Sequence, residues 1–150
     1  MASVRVLMLQ AATLWAVSVL ASVANGAPSP EEYELQERCG KRAEELFRRD
    51  WGKEGAHTVS GSHMAVRFRS YYNARLNGCF VLYTVRNLGS SAGTPRTSTQ
   101  LTLFEANTNK DYGFFFSFDA EPRLMDCWVA QRKCASRQEW DSLATHFIGE

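Results

Sequence analysis

Four cysteines constrain the fold of this chain more than any other feature of its sequence. All four come after Met1–Ala24, an apolar segment with the basic start and the length of a secretory signal. An even number of cysteines in an exported chain favours two disulfides over a metal site. The spacing of the last two also lacks the close pairs that zinc sites use. We therefore expect two disulfides, no metal and no cofactor, with these residues in the bridges: Cys39, Cys79, Cys127 and Cys134.

The N-terminal segment divides the chain into a signal peptide and a mature domain. Cleavage after Ala24 or after Gly26 satisfies the requirement for small residues, and we favour Gly26. Residues 1–26 are then the signal, and 150 less 26 leaves 124 residues, 27–150, for a single α+β domain. No second apolar segment long enough to span a membrane follows. We predict an exported protein, periplasmic or extracellular, with no membrane span after cleavage.

The charge of the mature chain bears on its partners. Cleavage removes Arg5, one of 17 Lys+Arg residues, and none of the 16 Asp+Glu residues, so the remaining charges balance. A chain of zero net charge has no electrostatic footprint for nucleic acid. We predict a protein or envelope-polymer partner and no nucleic-acid partner.

Capping boxes predict a helix at each end of the mature chain. The first box is Ser29–Glu32, with Gly52 placed to end the helix, and the second is Ser136–Glu139, with Gly149 at the exit. Apolar residues at helical spacing form a buried stripe on the first helix: Leu35, Cys39, Ala43, Leu46, Phe47 and Trp51. Its opposite face carries four acid-before-base pairs: Glu34/Arg38, Glu37/Lys41, Glu44/Arg48 and Glu45/Arg49.

Runs of alternating or β-branched residues between the helices predict four strands. They are Met64–Arg69, Cys79–Arg86, Thr99–Ala106 and Tyr112–Phe118. We expect the aromatic side chains of the last strand in the core: Tyr112, Phe114, Phe116 and Phe118. The segments 53–62 and 88–98 have the composition of loops. The fold class is α+β, with an N-terminal helix, a four-stranded antiparallel sheet, a C-terminal helix, disulfide stabilisation and both helices on one face of the sheet.

The four cysteines allow three pairings. A local bridge between Cys127 and Cys134 is sterically easy, which leaves Cys39 on the buried stripe to pair with Cys79. The alternative is that Cys127 and Cys134 each reach back to one of the first two cysteines. Sequence ranks the local pairing first and excludes neither.

Arginine, tyrosine and asparagine are concentrated around the turn that joins the first two predicted strands. Recognition surfaces favour arginine and tyrosine, because both combine large contact area with directed hydrogen bonds. The structural alternative is that the arginines keep an exposed strand in solution and that the asparagines set the backbone of the turn. The candidate binding residues are Arg67, Arg69, Tyr71, Tyr72, Asn73, Arg75 and Asn77.

Catalytic signals are weak in this sequence. It contains no cysteine-protease signature, and oxidised cysteines leave no thiol nucleophile. His57, His63 and His146 lie in separate predicted elements. Carboxylates that converge in space would still make a small secreted hydrolase, which remains an alternative. We assign no catalytic residue and favour a non-enzymatic domain.

Several short motifs resemble those of a group of small exported bacterial proteins of uncharacterised function. The most specific is the run Y-N-x-x-L-N-x-C-F at Tyr72–Phe80. It is accompanied by Cys39 on a helix, Tyr112-Gly113, Cys127, Cys134-Ala135-Ser136 and Glu139-Trp140. The resemblance covers most of the mature chain and implies export and disulfides, with no activity attached.

The leading hypothesis is an exported, disulfide-stabilised, non-enzymatic domain that binds a macromolecular partner in the envelope or outside the cell. The first alternative is an inhibitor of a secreted hydrolase such as lysozyme, in which the rigid turn would be the inhibitory loop. Ser60-Gly61-Ser62 resembles the serine-glycine loops of such inhibitors.

Overall fold

A computed structural model describes residues 29–59, 62–91, 94–119 and 123–149. The predicted signal peptide, residues 1–26, lies outside these ranges. The fold is α+β, with a helix at each end of a seven-stranded antiparallel sheet. In chain order the elements are α1 Pro30–Trp51, β1 Ala56–Val59, β2 Ser62–Asn73, β3 Gly78–Ser91, β4 Thr94–Glu105, β5 Lys110–Phe118, β6 Arg123–Val129, β7 Arg132–Lys133 and α2 Arg137–Ile148.

Both helices begin and end where their capping residues predict. At the start of α1 the Ser29 hydroxyl accepts from the Glu32 N–H at 3.2 Å, and the Glu32 carboxylate accepts from the Ser29 N–H at 2.7 Å. At the start of α2, Ser136 caps in the same way, but the Glu139 carboxylate accepts from the N–H of Ala135 instead of Ser136. Glycines with positive φ follow both helices, as predicted.

The prediction of four strands is too low. The seven strands follow one another in sequence order across the sheet, each antiparallel to its neighbour. Segment 53–62 was expected as a loop but contains β1, and segment 88–98 was expected as a connector but extends β3 and β4. Both segments are polar, and they become strands because a neighbouring strand is in register to accept their backbone hydrogen bonds.

The two helices cover opposite faces of the sheet, so the expectation that both lie on one face is wrong. Side chains alternate along β3: Val81, Tyr83 and Val85 belong to the cluster under α1, whereas Phe80 and Leu82 belong to the cluster under α2. A strand covered on both faces is apolar at consecutive positions, as β3 is from residue 79 to 83. We call the two sides of the sheet the α1 face and the α2 face.

The aromatic strand β5 also differs from expectation. Its fully buried ring is Phe115, on the α2 face, with 4% of its surface exposed. Phe114, Phe116 and Phe118 lie on the α1 face and are only half-buried, because α1 packs on β2 and β3 and does not extend over β5. Tyr112 packs instead toward α2, against Phe147.

The disulfides have the pairing that sequence ranks first. Cys39 of α1 is bonded to Cys79 at the start of β3, with their Cα atoms 5.4 Å apart. Cys127 is bonded to Cys134 across the β6–β7 hairpin, with their Cα atoms 5.1 Å apart. One bridge therefore fixes the N-terminal helix to the sheet, and the other closes the last hairpin.

Candidate functional site: an arginine face on the sheet

The predicted binding residues are divided between two faces and a turn. Arg67 and Arg69 are exposed on the α2 face of β2. Tyr71 lies on the same face but packs against the buried cluster under α2. Tyr72 lies on the α1 face, beside the cluster under α1. The structure therefore keeps Arg67 and Arg69 together and separates them from the turn.

The turn residues hold one another and the end of α2. Asn73 donates from its side-chain nitrogen to the carbonyls of His146 and Phe147, at 3.0 Å each, and its oxygen accepts from the Leu76 N–H at 3.1 Å. The Tyr72 hydroxyl donates to the side-chain oxygen of Asn77 at 2.8 Å. Asn77 adopts a φ of 46°, which asparagine tolerates better than most residues. The asparagines thus have structural roles in this turn, and Arg75 is exposed at its tip.

The register of the sheet places a third arginine beside the first two. Arg86 of β3 pairs with Ala65, and Thr84 pairs with Arg67, so Arg86 is a diagonal neighbour of Arg67 on the α2 face. All three arginines are exposed, because α2 covers the other end of this face. We define the arginine face as Arg67, Arg69 and Arg86.

Carboxylates are scarce around the arginine face. On the α2 face, the residues of β1 to β5 that α2 does not cover include no carboxylate within the described ranges. Apart from the three arginines and His63 they are uncharged, and they include Thr58, Ala65, Thr84, Leu88, Thr97, Thr99 and Ser117. Asp119, just after β5, lies 3.5 Å from the Arg86 guanidinium and accepts from the Thr99 hydroxyl at 3.1 Å. Arg67 and Arg69 form no ion pair within the part of the chain that is described.

A cleft of about 460 Å³ continues this face toward the start of α2. Thr99, Ser117 and Asp119 form its sheet side, and Arg137 of α2 forms the opposite side. The Arg137 side chain donates to Asp141 at 2.9 and 3.0 Å and lies 5.8 Å from the Phe115 ring centre. The cleft therefore combines one cation, one carboxylate and several hydroxyl groups with an apolar floor.

The three histidines do not meet one another. The His57 ring nitrogen Nε2 is 2.8 Å from the Trp51 carbonyl, and Nδ1 of His63 is 3.1 Å from the Thr58 hydroxyl. His146 stacks edge-on against Phe147, with ring centres 5.0 Å apart. Among the described residues, no three His, Cys, Asp or Glu side chains are grouped closely enough to hold a metal ion.

Ser60 and Gly61 of the predicted serine-glycine loop lie outside the described residues, and Ser62 opens β2. Among the described helices, none combines the length and apolar character that crossing a bilayer requires.

No protein-family model matches the chain, and neither curated proteins nor solved structures gave a significant match.

Sequence reasoning missed Arg86 and the cleft. The sequence did contain a signal for Arg86. A hairpin turn over residues 74–77 pairs residue 73 with residue 78, and the same register pairs residue 65 with residue 86. The cleft depends on where α2 packs against the sheet, which no local pattern records.

Proposed function

We propose that this protein is an exported, non-enzymatic binding domain that holds an acidic surface of another protein against its arginine face. The observation that carries the proposal is the juxtaposition of Arg67, Arg69 and Arg86 on a part of the sheet that no described helix covers, with Asp119 as the adjacent acid. Because the chain as a whole is close to neutral, the positive charge is a local feature of this face.

The chemistry of the face favours a protein partner. Arginine binds carboxylates through two parallel hydrogen bonds and is enriched at protein interfaces. Leu88 is 53% exposed at the end of the same face, where it supplies apolar contact that a protein surface would match and a hydrated polysaccharide would not. The arginines stand on a paired sheet, so binding requires little ordering of the backbone.

The dimensions of the face favour a transient complex. From His63 to Arg69 is about 20 Å along β2, and β1 to β4 span about 15 Å across the sheet. Each partner would bury roughly 300 Å² there, well below the roughly 800 Å² per partner of standard interfaces. We therefore expect micromolar affinity that falls as salt is raised, because exposed charges are screened within about 8 Å at physiological ionic strength.

The two disulfides support the exported part of the proposal. Bridges of this kind persist in the periplasm or outside the cell and are rare in reducing compartments.

The test uses the oxidised protein as bait in an envelope and culture-fluid extract of the source cells. Three baits are compared by quantitative mass spectrometry: the parent, Arg67→Gln/Arg69→Gln, and Lys41→Gln/Arg48→Gln. The last removes two cations from the exposed side of α1, where Lys41 and Arg48 pair with glutamates, and so serves as the charge-matched control.

We expect an acidic protein that the parent and the α1 control retain at 50 mM salt and that the Arg67→Gln/Arg69→Gln bait loses at least fivefold. Equal retention by all three baits, or retention of an acidic polysaccharide alone, would refute the proposal. If the retained protein is a secreted hydrolase, its activity at a stoichiometric ratio of the two proteins tells whether binding is inhibitory.

A further inference from the structure

A second cleft lies on the other side of the molecule, where α1 meets the sheet. It has a volume of about 320 Å³ and surrounds the Cys39–Cys79 bridge. Its polar lining comes from four separate elements: Arg38 and Arg42 from α1, Tyr72 from β2, Asn77 from the β2–β3 turn and Asn107 from the β4–β5 turn. We call it the disulfide cleft. Convergence of polar groups from several elements in one concavity is typical of small-molecule sites.

The two arginines give the cleft its charge. Sequence pairs Arg38 with Glu34 and Arg49 with Glu45, but only two of the four predicted helix pairs form, Glu37/Lys41 and Glu44/Arg48. Arg38 makes no ion pair in the described parts of the chain, and Arg42 lies 3.3 Å from Glu45. The residues that line the cleft include no carboxylate. Two guanidinium groups four residues apart on a helix are neighbours, about 6 Å apart at their Cβ atoms.

The remaining polar groups are fixed by hydrogen bonds that leave defined atoms free. Tyr72 donates its hydroxyl proton to Asn77, so the phenol oxygen is left as an acceptor and the Asn77 amide nitrogen as a donor. Asn107 donates from its side-chain and backbone nitrogens to Glu105, at 2.9 and 3.1 Å, which leaves its amide oxygen as an acceptor. The cleft thus offers cationic donors on the α1 side and mixed donors and acceptors on the turn side.

The disulfide holds these two sides together. Cys39 is the residue after Arg38, and Cys79 is two residues after Asn77. The bond between them fixes the position of the arginines relative to the turn, so the cleft does not have to form when a ligand arrives.

We propose that the disulfide cleft binds a small hydroxylated molecule that carries an oxyanion, with the anion at Arg38 and Arg42 and the hydroxyl groups at Tyr72, Asn77 and Asn107. Planar guanidinium groups accept carboxylate and phosphate alike, since both present paired oxygen atoms. The site is separate from the arginine face, because Tyr72 points to the α1 face and Arg67 to the α2 face.

The experiment is a nuclear magnetic resonance titration of the isotope-labelled, oxidised protein at constant ionic strength. The probes are gluconate and glycerol 3-phosphate, with sorbitol and glycerol as their neutral counterparts. We expect at least one anion to shift the Asn77 and Asn107 amide signals saturably, while the neutral polyols leave them unchanged. A shift with gluconate alone identifies a carboxylate ligand, and a shift with glycerol 3-phosphate alone identifies a phosphate ligand.

Variants decide whether the arginines carry the binding. Arg38→Gln/Arg42→Gln should weaken the apparent affinity at least tenfold, and Lys41→Gln/Arg48→Gln should leave it within twofold of the parent. Asn77→Asp is a second variant: it keeps the acceptor for Tyr72 and puts a negative charge in the cleft, so it should also weaken binding at least tenfold.

Three results would overturn the proposal. One is the absence of saturable shifts with either anion at concentrations up to about 50 mM, since a ligand that does not saturate the cleft by then has no specific affinity for it. Another is equal binding by the parent and by both cleft variants. The third is an equal loss in the Lys41→Gln/Arg48→Gln control, which would show that only the overall charge of α1 matters.

Discussion

Removal of each disulfide in turn tests how the chain is held together. The perturbations are Cys39→Ala/Cys79→Ala and Cys127→Ala/Cys134→Ala. The first bridge joins residues 40 apart in sequence and the second joins residues 7 apart. In the loop-entropy description, a bridge stabilises the fold by restricting the unfolded chain, and it does so more when the loop is longer.

The magnitudes follow from these two loop lengths. The longer loop contributes about 3.9 kcal/mol and the shorter about 2.4 kcal/mol at 25 °C. Cys39 and Cys79 are both buried, whereas Cys134 of the second pair is only partly buried, so replacement by alanine adds at least as large a packing loss to the first variant. The difference between the variants is therefore at least about 1.5 kcal/mol, with the larger loss for Cys39→Ala/Cys79→Ala.

The assay is equilibrium unfolding in urea, followed by tryptophan fluorescence and by circular dichroism. We expect the free energy of unfolding to fall more for Cys39→Ala/Cys79→Ala than for Cys127→Ala/Cys134→Ala, with coincident transitions for the two probes. Equal losses, or a larger loss for the short bridge, would refute the loop-entropy reasoning for this chain.

Three other variants probe one buried carboxylate and two turns. Glu105 is buried, and although burial raises the pKa of its carboxyl, hydrogen bonds from Thr108 and Asn107 lower that pKa below its ordinary value of 4.5. Its stabilising contribution is therefore present above the unfolded pKa and lost as pH falls through the folded one, so Glu105→Gln should cost about 1–2 kcal/mol in urea unfolding at pH 7 and progressively less as the pH is lowered below the unfolded pKa, and a cost that does not change with pH would contradict this. Ala130 and Gln131 both have positive φ in the β6–β7 turn, so Ala130→Asn/Gln131→Gly should raise the free energy of unfolding by about 1 kcal/mol, and a decrease would contradict this reading. Gly55 has φ of +60°, and an added Cβ would lie 2.7 Å from the Val66 carbonyl oxygen and collide with Phe47, so Gly55→Ala should lower the melting temperature by at least about 5 °C, and an unchanged value would show that this turn can move.

The helices could be predicted from sequence because their signals are local. Ser29 and Glu32 satisfy each other's backbone within one turn, and Gly52 ends the helix that they begin. The disulfide pairing could also be ranked, because Cys127 and Cys134 are close enough in sequence for a local bridge, which leaves Cys39 on the buried stripe of α1 for Cys79.

The extent of the sheet could not be predicted from local patterns. The polar ends of β3 and β4 carry no apolar alternation, and they form strands because the hairpin continues to pair them. The opposite placement of the two helices was encoded in β3, whose consecutive apolar residues require cover on both faces, but a run of this kind is equally consistent with other folds.

The candidate site was predictable in part. Arg67 and Arg69 were identified from their alternation on one strand, whereas Tyr71 and Asn73 turned out to be occupied in packing and in capping the end of α2. Predicting the position of Arg86 required the register of the hairpin. Predicting that Arg38 lines a cleft required knowing which of the helix ion pairs form. Long-range geometry accounts for each of these differences.

The most direct test of the arginine face locates a bound partner on the molecule. The acidic protein recovered with the parent bait is purified and added to the isotope-labelled protein, and the backbone and arginine side-chain signals are recorded by nuclear magnetic resonance. Our account predicts that the largest changes fall on residues 65–69 of β2 and 84–88 of β3 and that they fade as salt is raised. Changes confined to the turn at residues 74–77 or to α1, with β2 unaffected, would contradict it.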